Sequence, residues 1–292
     1  MKKIGLMLTL CCFFAKGMLA NEALQTITSP PIPNHLEFAG EKVPLEDPDV
    51  YERLEKEILS NTFFHSKTLS ILKHVKRWKV EVNEILEKDS IPTDFFYLAV
   101  AESGLDNTVG SAAGARGMWQ FLAPTGTNYG LEINAYVDER KDPYLATKAA
   151  ASYLKTLKKM FGNWTAAAAA YNRGENGLQK AFENQKVTSY YDLYLNDETY
   201  RYVFRILAYK LIIENPADYG FILEEEEKYE PYEYIEIEVD STIDDLPTFA
   251  IDHNTNYKML RKYNPWLDPN ARYTLPVSGD RVYIIRIPKA KS

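Results

Sequence analysis

The sequence is almost without cysteine. Its two, Cys11 and Cys12, are adjacent and fall within the first twenty residues. Cleavage after Ala20 leaves a mature chain with none, which excludes a disulfide-stapled scaffold and thiolate chemistry. Histidine is scarce as well. His35, His65, His74 and His253 are scattered, and none stands at metal-ligand spacing with another His or a Cys. No metal and no cofactor is therefore assigned. Basic residues are outnumbered, 34 Lys and Arg against 41 Asp and Glu, for a net charge of −7. That argues against nucleic acid as a partner. The apolar run at 4–15 is too short to span a bilayer comfortably. No glycine-rich phosphate loop of useful specificity is present, and no Ser-His-Asp arrangement is legible.

The 292 residues suffice for one domain of ordinary size and a smaller one. A hydrophobic content of 46% and a charged content of 26% are globular values. Tyrosine is abundant, with 21 residues, which suits surfaces that stack and hydrogen-bond at once. Residues 1–20 read as a secretory signal: Lys2 and Lys3, then the apolar run, then Met18-Leu19-Ala20 at the cleavage point. An uncleaved anchor and a lipid-modified cysteine are the alternatives, the second weakened by the bulky Leu10 before Cys11. Removing the signal deletes Lys2, Lys3 and Lys16 and no acid, so the mature chain is more acidic still.

Residues 21–49, with Pro30, Pro31, Pro33, Pro44 and Pro48, read as an extended leader. Helices are expected over 50–60 and 67–88. The next, opened by Pro92 and stopped by Gly104, places Phe95, Leu98, Ala99 and Glu102 on one face. After a glycine-rich loop at 108–117, Met118-Trp119-Gln120-Phe121 is expected to begin a short helix that Pro124 interrupts. Asp142-Pro143 caps a helix that Gly162 ends. Asn163 caps another, holding five alanines at 166–170 and closed by Arg173-Gly174. A further helix is expected over 198–214. Beyond the acidic run 224–227, the order strand (232–239), helix, helix, strand (281–287) makes a small α+β module.

The carboxylate of Glu102 carries the chemical interest. It shares a face with three apolar residues and sits near the negative end of its helix, so its anion is disfavoured and its pKa should rise. From periodicity alone, a glutamate turned out to solvent at a frayed helix end is the better reading, because most charged residues near helix ends are solvated. Trp119 and Phe121 read individually as core, Arg116 as a loop charge, and Tyr171 and Asn172 as helix-end residues.

Taken together, three ordered motifs change the reading. Ala101-Glu102-Ser103, then 114–121 (Gly-Ala-Arg-Gly-Met-Trp-Gln-Phe), then Ala170-Tyr171-Asn172-Arg173-Gly174 resemble the soluble-lytic-transglycosylase type of the goose-lysozyme-like superfamily. The membrane-bound lytic transglycosylase D branch is the most similar, densely over 92–178 and more loosely over 51–215. The segment 232–288 resembles a LysM module through Leu246, Phe249, Asn254, Tyr257, Leu260, Asn264-Pro265 and Val282-Tyr283-Ile284. Where that module usually has Gly-Asp-Thr, this chain has Asp240-Ser241-Thr242, so it either binds glycan or packs against its neighbour.

The resemblance implies a mainly α protein. Its expected parts are a signal at 1–20, a leader at 21–49, a lysozyme-like catalytic domain at 50–223, an acidic linker at 224–230 and a LysM-like α+β module at 231–292. It implies a lytic transglycosylase acting on peptidoglycan glycan strands. The expected reaction cleaves the MurNAc-β-1,4-GlcNAc bond and leaves 1,6-anhydro-MurNAc ends, without a cofactor. Glu102 would be the catalytic acid and then base. Ser103, Met118, Gln120, Tyr171 and Asn172 would bind substrate or hold its geometry, the last two also reaching the Glu102 carboxyl. A muramidase-type hydrolase on the same cleft and a non-catalytic wall-binding protein are the alternatives. The expected location is the periplasm or cell envelope, with membrane association and oligomeric state open.

Overall fold

Two long amphipathic helices open the helical part of the chain. Asp47 caps α1 (Pro48–Phe63) by accepting the Asp49 N–H, with Pro48 in the first turn. After the single residue Phe64, α2 (His65–Lys88) buries Ile71, Leu72, Trp78, Val82 and Leu86. The computed structural model describes residues 27–268, 271 and 273–289. The expected signal at 1–20 lies outside them. Among the described residues no helix is long and apolar enough to cross a membrane.

The opening helix is shorter than the sequence suggests. A 3₁₀ turn, Thr93–Phe95, precedes α3 (Phe96–Ser103), which ends on Gly104 in the left-handed conformation at φ 65°. Residues Phe96 to Val100 are all buried, so α3 runs through the core rather than over it. No helix begins at Met118. Gly117 and Gln120 adopt φ of 79° and 48°, and Arg116 bridges Phe121 across the turn between them. The short α4 (Ala123–Asn128) starts only where Pro124 can occupy a first-turn position. Here proline opens a helix instead of interrupting one.

The next two helices carry the caps read from sequence. Asp142 accepts from the N–H groups of Tyr144 and Leu145 at the start of α5 (Pro143–Phe161), and Gly162 closes it. Asn163 accepts the Ala166 N–H at the start of α6 (Trp164–Arg173). Ala166 through Ala170 are at most 1% exposed, and α6 packs closely against both α5 and the later α8 (Asp197–Glu214). Without side-chain bulk, three backbones approach at the centre of the domain. Between α6 and α8 lies α7 (Glu175–Gln185), a helix the sequence reading passed over.

The leader needs correction. Residues Glu37–Phe38 (β1) and Glu41–Lys42 (β2) pair as a small hairpin, and Leu36, Phe38 and Val43 are buried in the main core. Phe38 meets Phe95 edge-on at 5.2 Å, and the Glu41 carboxylate accepts from the N–H groups of Trp164 and Thr165. This part of the segment caps the α6 N-terminus rather than trailing from the domain.

The C-terminal module pairs β3 (Tyr234–Val239) antiparallel with β4 (Tyr283–Pro288), from Tyr234↔Pro288 to Val239↔Tyr283. Helices α9 (Leu246–Asp252) and α10 (Tyr257–Tyr263) pack on it around a separate core that includes Leu246, Leu260, Trp266 and Ile285. Buried Asn264 satisfies its amide fully. It donates to the carbonyls of Leu260 and Arg286 and accepts the Arg286 N–H. Val137, from the loop before α5, is wholly buried in this second core. The mainly α chain with a small α+β module is thus the architecture the sequence implied, and one loop of the first part is inserted into the second.

Candidate active site

Glu102 lies one residue before the end of α3, where α3 packs on α8. Its carboxylate accepts a short hydrogen bond from the Tyr202 hydroxyl on α8. Burial pushes its pKa up to about 7; the Tyr202 hydrogen bond and the Arg205 charge pull it down, and Glu198 pushes it up. Desolvation dominates, so the group is poised between acid and base near neutrality.

Arg205 is itself held from behind. Glu57, 1% exposed, sits 3.8 Å from its guanidinium and 2.5 Å from that of Arg201. A buried carboxylate on α1 thereby fixes two cations of α8, one of which acts on Glu102.

The expected binding residues separate into those near Glu102 and those with local duties. Tyr171 is near: its own proton is held tightly by burial and by the Glu102 charge. Its hydroxyl donates to the Trp119 carbonyl at 2.8 Å, however, and not to Glu102. Asn172 accepts from the Thr199 hydroxyl at 3.0 Å. Neither residue hydrogen-bonds the Glu102 carboxyl; Tyr202 does. Ser103 closes the helix end, its hydroxyl donating to the Ala99 carbonyl and accepting the Leu105 N–H. Gln120 donates to the carbonyls of Gly117 and Val109 at 2.7 and 3.2 Å, so its amide nitrogen is committed to the loop. Met118 was expected in a cleft wall, yet it is 0% exposed within the core. Trp119 and Phe121 are buried as well, the Trp119 indole donating to Thr147.

Other acids that might have joined Glu102 have separate employment. Asp106 accepts from the N–H and hydroxyl of Thr108. Asp138 forms a buried pair with Arg140, and Glu175 accepts from Tyr153. Asp142 caps α5 and also pairs with Arg286 of the C-terminal module at 2.7 Å. Among the described residues, no second carboxylate shares a hydrogen bond with Glu102. A residue the sequence reading missed as functional is thus Tyr202. In the sequence it is only one residue of the helix expected over 198–214.

Both parts of the chain are similar to known proteins. Residues 82–193 match the transglycosylase SLT domain, and residues 235–291 match the soluble lytic transglycosylase C-terminal LysM-like domain. The membrane-bound lytic murein transglycosylase D of Escherichia coli strain K12 is 31% identical over 191 residues, covering 63% of this chain and 41% of the relative. The chain therefore spans less than half the length of that curated relative. Among solved structures, the 70 kDa soluble lytic transglycosylase from Escherichia coli matches at 23% identity and a TM-score of 0.39, over 51% of this chain and 27% of that one. An inactive mutant of the lytic transglycosylase Slt from Pseudomonas aeruginosa matches at 21% identity and a TM-score of 0.40, over 52% and 26%. Over 191 residues the chain is homologous to membrane-bound lytic murein transglycosylase D, and it carries a segment matching the transglycosylase SLT domain followed by one matching the LysM-like C-terminal domain.

Proposed function

We propose that the protein is a peptidoglycan lytic transglycosylase. Glu102 would cleave the MurNAc-β-1,4-GlcNAc bond as acid and then base, leaving 1,6-anhydro-MurNAc ends. The observation that carries this is Glu102 itself: a desolvated carboxyl with its pKa pushed up to about 7, oriented by Tyr202, in a domain homologous to murein transglycosylases.

Ordinary glycosidases divide the work between two carboxylates, one as acid and one as nucleophile or base. A lone glutamate suffices when the substrate supplies the nucleophile. Protonated Glu102 gives its proton to the glycosidic oxygen while the muramoyl acetamido oxygen attacks the anomeric carbon. The GlcNAc-containing half leaves as an alcohol. The Glu102 carboxylate then takes the proton of the muramoyl 6-hydroxyl, which closes on the same carbon and expels the acetamido oxygen. No water is consumed, and Glu102 regains its proton for the next cycle. A pKa near neutrality serves both steps, since neither proton transfer is steeply uphill. Tyr202 holds the carboxyl oxygen in one orientation through the cycle, and the Arg205 charge limits how far the pKa climbs. Acting on such a substrate, the enzyme would work in the cell envelope.

Digestion of purified peptidoglycan sacculi, followed by mass spectrometry, tests the reading. Anhydro ends are one water lighter than the reducing ends a hydrolase leaves. Wild-type protein should release the lighter products, and Glu102→Gln, which keeps the side-chain shape without a titratable proton, should lose at least about a thousandfold in rate. Reducing ends would identify a hydrolase instead. Sacculi that are bound and never solubilised would identify a wall-binding protein.

A further inference from the structure

The turn that follows Glu102, from Ser103 to Thr108, forms one wall of a crevice of about 480 Å³ between the helical domain and the C-terminal module. The opposite walls come from α2 and from residues of the LysM-like module. Tyr232 sits where they meet. Its ring packs against Trp78 at 5.7 Å and Tyr263 at 4.7 Å, and the Arg77 guanidinium lies over it at 4.4 Å. The crevice is built jointly by both parts, with the edge-on and tilted rings of Trp78, Tyr232 and Tyr263 packed at their junction.

Its charge is the reverse of the molecule's. The chain carries −7, yet the lining has five Lys or Arg side chains and a single carboxylate, Asp106, already occupied by Thr108. Three of the cations have duties. Arg77 donates to the Glu230 carbonyl, Arg261 to the Tyr257 hydroxyl and Arg286 to Asp142. Lys67 and Lys262 make no ion pair or hydrogen bond among the described residues; Lys262 lies over the Tyr232 ring at 5.7 Å, and Lys67 feels the Glu57 charge only at a distance. They stand on opposite parts of the molecule, Lys67 on α2 and Lys262 on α10. The lining begins at Ser103, the residue after Glu102, so the crevice adjoins the end of the helix that carries the catalytic carboxyl.

We propose that this inter-domain crevice binds the carboxylate-bearing peptide stem of a wall glycan, with Lys67 and Lys262 as its anion-reading residues and Tyr232 as an apolar floor. The choice of ligand rests on the transglycosylase reading. A glycan strand seated at Glu102 projects its stems sideways from each muramoyl lactyl group, and the charges lining the crevice that begins one residue beyond Glu102 are mainly cationic. The sugar itself is uncharged and has no use for unpaired lysines; the stem, whose carboxylates outnumber its amines, does. The site would make the enzyme favour chains that keep their peptides over stripped ones.

Two measurements test this on the full chain. First, an N-acetylated stem tetrapeptide is titrated calorimetrically into Glu102→Gln protein. Binding should be saturable and weaken with salt. It should fall roughly tenfold in Lys67→Gln/Lys262→Gln, and be largely restored in Lys67→Arg/Lys262→Arg. Both lysines are exposed, so neither variant should disturb folding. Second, kcat/KM is compared on peptide-bearing and amidase-stripped glycan. The ratio should favour peptide-bearing chains and shrink roughly tenfold in the Gln pair. Equal cleavage of both glycans with no peptide binding would overturn the site and leave the transglycosylase reading intact. Peptide binding by a protein that cleaves neither glycan would overturn the reading and leave the site. Peptide binding unchanged in the Gln pair would overturn the assignment of the two lysines.

Discussion

At the scale of single residues, the decisive quantity is the free energy of ionising Glu102. Its pKa stands at about 7 against an ordinary 4.5, because burial outweighs the Tyr202 hydrogen bond and the Arg205 charge. The folded chain therefore keeps a proton that the unfolded chain has lost between those two values. Stability falls as pH rises through that window and is flat above it, so ionised Glu102 costs folding free energy at neutral and alkaline pH. Glu102→Gln should unfold at a higher temperature than wild type at pH 8, by up to about 3 kcal/mol in free energy, with the difference vanishing toward pH 4.5. Thermal denaturation at the two pH values checks it. Catalysis has the matching sign: the first step needs the protonated acid, so kcat/KM should decline on the alkaline side of about pH 7. Tyr202→Phe removes a hydrogen bond that lowers the Glu102 pKa. Its alkaline limb should move up by about half a unit to one unit, with kcat reduced roughly tenfold through lost orientation. An unmoved limb would mean that Tyr202 does not set the carboxyl. The apolar face that Glu102 shares is a local pattern, but alone it favours a solvated helix end; what singles the residue out in the sequence is its place in the ordered motifs, in Ala101-Glu102-Ser103. Tyr202 was not legible, because its partner is a hundred residues away and a tyrosine on a helix face reads as core. Met118 and Asn172 were placed by motif membership; Met118 is buried and Asn172 accepts from Thr199, and neither hydrogen-bonds the carboxyl.

At the scale of elements, termini were more legible than interiors. Asp142, Asn163, Gly104 and Gly162 mark helix ends that the structure has, since capping chemistry acts within a few residues. Segments misread were those whose outcome depends on distant backbone. Met118 to Phe121 looks helical by hydrophobicity, but the chain turns at Gly117 because the Arg140 carbonyl lies against it. A Cβ at Gly117 would meet that oxygen at 1.8 Å, and its φ is 79°. Helix α7 is hard to read for the opposite reason: its apolar stripe is short, with Leu178 and Ala181 buried and Phe182 partly covered, between charged and amide residues. The residues 36–43 bury their apolar members only against partners far along the chain, which no proline count reveals. Gly117→Ala tests the loop. Left-handed strain and a backbone clash act together, so a loss of at least about 2 kcal/mol is expected in urea unfolding. Activity should fall with it, because Tyr171 donates to the Trp119 carbonyl of the same turn. Gly114→Ala, at φ 87° with nothing near its Cβ, is the control; it should cost only about 1 kcal/mol.

At the scale of the whole molecule, the question is whether two cores behave as one. The loop between α4 and α5 gives the C-terminal module more than a surface to lean on. Val137 is wholly buried in the second core, the Asp138 N–H donates to the Trp266 carbonyl at 2.7 Å, and Tyr283 donates to Glu132 at 2.9 Å. Arg286 reaches back to Asp142, the residue that caps α5, and its guanidinium lies over Tyr144 at 3.9 Å. A module of this size has a marginal core by itself, so a side chain borrowed from its neighbour is a sizeable part of its stability. The two parts should therefore unfold in a single calorimetric transition. Val137→Ala removes two methyl groups from that second core and should cost about 2 kcal/mol. The loss should appear first where the borrowed residue is used: amide exchange in Tyr234–Val239 and Tyr283–Pro288 should accelerate, while the five alanines of α6 stay protected. Faster exchange confined to the loop itself would show that the module is complete without Val137. Acceleration of both strands, with a second, lower transition emerging in the calorimeter, would show that the inserted loop is what makes the two cores fold as one.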